Sequence, residues 1–107
     1  MIYVIDHKDS FTHNVVHQLS LFDQVLCDDF SKVSKSKLNQ ASTIVFSPGP
    51  GSPKDYPISS KIYKKFKGKK KIIGICLGFQ QILFCEGASI IEQKKIYHGF
   101  QSEVLVN

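Results

Sequence analysis

The segment Gly74-Ile75-Cys76-Leu77-Gly78-Phe79-Gln80 sets a thiol between two glycines. An apolar run precedes it and a helical pattern follows it, so it predicts a sharp strand-to-helix turn that thrusts the central side chain outward. Glycine on each side lets the backbone bend without a Cβ clash. A cysteine there stands at a helix N-terminus, where the dipole and unpaired N–H groups favour thiolate over thiol. Thiolate is the attacking species when a cysteine acts as a nucleophile. Taken alone, the motif fits a nucleophile and also fits a small buried cysteine in a Gly-rich turn.

A second segment, Ser47-Pro48-Gly49-Pro50-Gly51-Ser52-Pro53, reads as neither helix nor ladder and is expected to be a rigid loop at a strand's carboxyl end. Together the two segments resemble the class I glutamine amidotransferases, which combine Pro-Gly-Pro-Gly after one strand with Gly-[Ile/Val]-Cys-Leu-Gly-x-Gln after a later one. The resemblance implies that Cys76 attacks the side-chain amide of L-glutamine, ammonia leaves, and water releases glutamate from the thioester. It also implies an oxyanion held by the backbone N–H groups of Gly51 and Leu77. Glutamine would be contacted by Gly49, Pro50, Gly51 and Gln80. Backbone donors stiffened by Pro48, Pro50 and Pro53 need no reorganisation as the charge develops. Apart from the resemblance, Gln80 reads as an ordinary polar residue in a helix's first turn. No metal and no cofactor is implied.

The N-terminal Asp6-x-x-Asp9-Ser10-Phe11-Thr12-x-Asn14 resembles the opening of the glutaminase subunits of anthranilate synthase and aminodeoxychorismate synthase. Tyr97-His98-Gly99 with Ser102 resembles a His-Gly-x-x-Ser segment of the same branch, so the likeness runs from end to end. The implied partner is the large subunit of a chorismate-using synthase. Phe79 stands where the branch most often has His. Family members continue well beyond Asn107, through a Ser-Leu segment and a His-Pro-Glu-Ser-like segment that supplies the base and its carboxylate; neither occurs in these 107 residues. His7, His13, His17 and His98 are expected to be structural or solvated, so the chain alone is expected to hydrolyse glutamine poorly. Residues 1–107 read as the N-terminal, nucleophile-bearing part of one domain, with the C-terminal part missing. An unpaired strand edge is then expected, available to a second copy or to a separate chain. The alternative is a noncatalytic interaction module that keeps the fold. A flavodoxin-like binding domain would share the order of elements but gives the two loops no purpose.

The elements that must position these loops alternate. Residues 2–5 read as a strand, and Ser10 reads as the N-cap of an amphipathic helix with Val15, Val16, Leu19 and Phe22 on its apolar face. Residues 24–27 read as a second strand, and residues 28–41 as a loop with a weak helical turn anchored by Leu38. Strand 43–46, helix 58–66, strand 71–75 and helix 79–85 follow, then strands near 89–91 and 102–106. This order predicts an α/β fold with an open, mostly parallel sheet and helices on both faces, flavodoxin-like in arrangement. Both unusual loops then lie where ligands bind such sheets.

Bulk properties exclude other classes. A length of 107 residues suits one domain, and no apolar stretch is long enough to span a membrane. The N-terminus reads as a strand rather than a secretory signal, which implies a cytoplasmic address. Cys27, Cys76 and Cys85 form an odd set without a Cys-x-x-Cys pair, which argues against a disulfide framework and against zinc. Cys27 and Cys85 read as small buried hydrophobes. The net charge is +5 and every basic residue is Lys. The Lys-rich run 61–71 sits where a helix ends and a strand begins, which favours solvated lysines at a negative helix terminus over nucleic-acid binding.

Overall fold

Strand β1 (Ile2–Asp6) sorts its apolar side chains between two faces of a sheet. Tyr3 and Ile5 join one cluster with Ile44, Phe46 and Ile72, whereas Ile2 and Val4 join the other with Val45. A strand buried on both faces has no polar positions to spare, hence the unbroken apolar runs. The computed structural model describes residues 1–87 and 103–106. Its sheet also contains β2 (Val25–Asp29), β3 (Thr43–Phe46), β4 (Lys71–Ile75) and β5 (Glu103–Val106), in the order β2-β1-β3-β4-β5. The first four strands are parallel, with Tyr3, Ile44 and Ile72 in register, and β5 runs antiparallel to β4.

Helix α1 (Thr12–Leu19) covers the Ile2, Val4 and Val45 face through Val15, Val16 and Leu19. Helices α2 (Lys35–Gln40), α3 (Pro57–Phe66) and α4 (Leu77–Cys85) cover the other face, through Leu38, then Ile62, Tyr63 and Phe66, then Ile82. The expected open sheet with helices on both faces is therefore observed. Right-handed crossovers account for the sorting, because the chain moves outward from β1 to β2 and then back across to β3 and β4. The reversal leaves a crevice at the carboxyl ends of β1 and β3. Each fully buried Ile or Phe in these clusters contributes about 1.5–3 kcal/mol relative to exposure.

Several local expectations are revised. Phe11 rather than Ser10 precedes α1, and no side chain caps it there. The turn before it is closed instead by Asp9, which accepts the Phe11 N–H at 2.7 Å, and by Asp6, which accepts the Thr12 hydroxyl at 2.9 Å. These contacts order the turn ahead of the helix, and no side chain takes the capping role expected of Ser10. Phe22 falls beyond α1 and is 84% exposed. Residues 28–41 carry more structure than a loop: a 3-10 turn at Phe30–Lys32, then α2 with Ser34 accepting the Lys37 N–H. Helix α4 begins at Leu77, earlier than the apolar pattern indicates. Cys27 lies exposed on the edge strand β2, because only β1 pairs with it, while Cys85 packs half-buried against the core. The expected strand at 89–91 and the segment around His98 lie outside the described residues.

The lysine run has structural roles. Lys64 and Lys65 occupy the last turn of α3, and Lys67 pairs with Glu86 at 2.5 Å. Lys70 donates to the carbonyls of Asn39 and Ala41, satisfying acceptors left open at the end of α2. Among the described residues no helix is long and apolar enough to cross a membrane.

Candidate active site

Strand β4 ends at Ile75 and α4 begins at Leu77, so a single residue, Cys76, must make the turn. It does so with φ 53° and ψ −110°, in a region that side chains with a Cβ rarely occupy. The strain persists because the contacts on either side fix it. A Cβ added to Gly74 would lie 2.5 Å from the Gly78 carbonyl oxygen, and one added to Gly78 would lie 2.0 Å from that of Phe46. The two glycines therefore let the first turn of α4 fold back onto the ends of β4 and β3. Cys76 itself is exposed, and its carbonyl accepts the Gln80 N–H at 3.0 Å.

The proline-glycine loop reaches the same place from β3. A Cβ on Gly49 would meet His7 Cβ at 2.4 Å and Leu77 Cδ2 at 2.9 Å, so this loop, the β1 end and the start of α4 are in contact. Gly51 has φ +84°, and beside it the Asp55 carboxylate accepts the Ser52 N–H at 2.9 Å. Loop residue Pro53 starts a 3-10 turn, Pro53–Asp55, instead of remaining irregular. The structure thus gathers Gly49 and Leu77, with Pro50 and Gly51 in the same loop and Cys76 and Gln80 on the same helix start.

The expectation for His7 sharpens, since it is fully buried and holds the loop. Its Nδ1 lies 3.0 Å from the Ser47 carbonyl, which can only accept, so Nδ1 carries the proton and Nε2 accepts from the Ser59 hydroxyl at 2.8 Å. The His7 backbone N–H donates to Ser47 Oγ at 2.9 Å. Tyr56 packs edge-on against the ring, with centroids 4.6 Å apart. Burial holds the imidazole below its ordinary value of 6.5, against smaller opposing effects of the Ser47 carbonyl, Asp6 and Asp29. His13 and His17 lie exposed on α1. Although Cys27 as a residue is exposed, partial desolvation of its sulfur, with help from Asp6 and Asp28, pushes the thiol up to about 11.

Gln81 was not singled out by the sequence. Its side chain is fully buried, and its amide nitrogen lies 3.1 Å from the carbonyls of Pro53 and Tyr56 and 2.6 Å from Ser60 Oγ. A second glutamine directly after Gln80, in a stretch 77–85 that is otherwise without polar side chains, was the available signal. Among the described residues no cluster of His, Cys, Asp or Glu is arranged to hold a metal ion.

The family model for glutamine amidotransferase class-I matches residues 3–107. The chain belongs to the class I glutamine amidotransferases. Among relatives of this amidotransferase, anthranilate synthase component 2 of Cyanidium caldarium is 38% identical over 97% of the chain and 55% of the relative. The aminodeoxychorismate/anthranilate synthase component 2 of Bacillus subtilis (strain 168) is 34% identical over 97% of the chain and 55% of the relative. A crystal structure of a protein described as a GMP synthase subunit, from Thermoplasma acidophilum, superposes with a TM-score of 0.68 and 26% identity, over 82% of this chain and 45% of that one. This amidotransferase chain spans about half the length of the curated relatives it matches.

Proposed function

We propose that the chain carries the nucleophile-bearing part of a glutamine-hydrolysing site, with residues 1–107 forming one part of a single domain. The observation that carries this reading is Cys76: an exposed thiol on a strained positive-φ turn at the start of α4, beside the loop that holds Gly49 to Gly51. Its sulfur attacks the side-chain carbonyl carbon of glutamine, and the C–N bond breaks as ammonia departs with a proton. Water then cleaves the thioester to glutamate and restores the thiol. The N-terminus of α4 places partial positive charge beside the sulfur, which favours the thiolate.

The oxyanion formed in each step is received by the N–H groups of Gly51 and Leu77. Both belong to backbone fixed before substrate arrives, by a positive φ at Gly51 and by the helix start at Leu77. Gly49, Pro50 and Gly51 line the glutamine site and Gln80 contacts the substrate from the helix. His7 is not the base, because burial and the Ser47 and Ser59 contacts occupy both ring nitrogens. The ammonia serves the large subunit of a chorismate-using synthase, making anthranilate or aminodeoxychorismate. Support comes from relatives named as component 2 of those synthases.

The 107-residue polypeptide alone releases glutamate slowly or not at all on this reading, because the resemblance puts the base in a His-Pro-Glu-Ser-like segment that these residues do not contain. The pocket is tested separately by protection. Glutamine should slow alkylation of Cys76 by iodoacetamide, while asparagine, one methylene shorter, should not. Equal alkylation rates with and without glutamine would contradict the proposal.

A further inference from the structure

Gln81 lies on the helix that Cys76 opens, and its amide is committed to the opposite loop. The Nε2 hydrogens face three acceptors: the carbonyls of Pro53 and Tyr56 at 3.1 Å each and Ser60 Oγ at 2.6 Å. The reverse orientation would press Oε1 against two carbonyl oxygens, so the amide has one acceptable pose. That pose leaves Oε1 buried without a partner. A buried polar atom left unpaired costs stability, and it is offset here by the two loop carbonyls that the nitrogen satisfies.

The connection continues to the candidate oxyanion donor. The Tyr56 hydroxyl donates to the Pro50 carbonyl at 2.7 Å, across the peptide unit whose N–H belongs to Gly51. The intervening turn is closed by the Ser52 N–H, which donates to the Asp55 carboxylate at 2.9 Å, and by the Asp55 N–H, which donates to the Ser52 carbonyl at 3.0 Å. Hydrogen bonds therefore run from α4 through Gln81 to the Tyr56 backbone, and from the Tyr56 side chain to the Pro50–Gly51 peptide. Helix α4 carries the nucleophile at its start and, just over one turn further on, the anchor for the loop opposite.

We propose that Gln81 is a positioning residue that fixes the Pro50–Gly51 peptide relative to Cys76 by tying the 53–56 turn to helix α4. This rests on the glutaminase reading, which assigns the Gly51 N–H to the oxyanion. The anchoring, however, is a property of the fold and can be measured without substrate.

The test uses the full chain with Gln81→Met, which keeps the volume and removes the donors, and Tyr56→Phe, which removes only the hydroxyl that holds Pro50. Hydrogen exchange followed by mass spectrometry should show peptides covering 48–56 exchanging about tenfold faster in Gln81→Met, the change expected for one lost buried hydrogen bond, with β1 and β3 unchanged. Tyr56→Phe should act in the same direction on the same peptides. Each variant should also slow Cys76 labelling by a glutamine-mimicking diazoketone more than labelling by iodoacetamide, because only the former needs the loop in place. If Gln81→Met does not fold, Tyr56→Phe alone decides. Native exchange at 48–56 in the folded variants, or equal slowing of both reagents, would overturn the proposal. Faster exchange in the variants, combined with a wild-type Cys76 that ignores the diazoketone, would instead overturn the glutaminase reading and leave the anchor standing.

Discussion

Gly78 approaches Phe46 so closely that a Cβ on the glycine would sit 2.0 Å from the Phe46 carbonyl oxygen. This contact seats the first turn of α4 on the end of β3 and so sets the distance between the nucleophile and the proline-glycine loop.

Gly78→Ala is accordingly expected to destabilise the fold by about 1–3 kcal/mol through overpacking against rigid backbone. The sign is informative, because Gly→Ala in a helix ordinarily stabilises by about 1 kcal/mol. Urea unfolding of the variant checks it: an unchanged or raised midpoint would mean that α4 sits further from β3.

Cys76 holds φ 53° with a Cβ attached. Cys76→Gly should therefore be more stable than Cys76→Ala by about 1–2 kcal/mol, the usual penalty for a side chain in left-handed backbone. Thermal unfolding of the two variants side by side measures the difference, and equal midpoints would show that the turn is unstrained.

His7 gives the fold a pH dependence. Burial depresses its folded value below the ordinary 6.5, so the unfolded chain takes up the proton more readily. The stabilising contribution is complete above about pH 6.5 and is lost as pH falls from there toward the depressed folded value. Asp23, Asp28, Asp29 and Glu86 are shifted down from ordinary values of 3.8 to 4.5, so their losses come at lower pH. Stability measured between about pH 6.5 and pH 5 should decline in the wild type and stay flat in His7→Asn, which is also less stable overall. Parallel slopes would assign the acid sensitivity to another group.

The alternation of elements was legible because apolar runs of four or five residues, separated by Gly, Pro and polar turns, leave a doubly covered parallel sheet as the simplest way to bury them. The turn at Cys76 was legible for a local reason, glycines at both flanks. The ordering of the turn before α1 by Asp6 and Asp9 was not, since several polar residues precede Thr12 and only the backbone path selects among them. Cys27 was misjudged because burial in a strand depends on whether both neighbours exist, and sequence does not say which strand is the edge. The roles of His7 and Gln81 depend on partners 40 and 28 residues away, at Ser47 and Pro53, which no local pattern reveals.

The central claim is that Cys76 is an activated thiol in a pocket shaped for glutamine. Timed labelling with a glutamine-mimicking diazoketone, followed by peptide mass mapping with iodoacetamide as the non-mimic control, tests both parts together. The predicted result is one adduct, on Cys76, suppressed by glutamine, while Cys27, with its thiol pushed up to about 11, and half-buried Cys85 stay unmodified. Labelling without preference among the three cysteines, or labelling of Cys76 that glutamine does not slow, would contradict it.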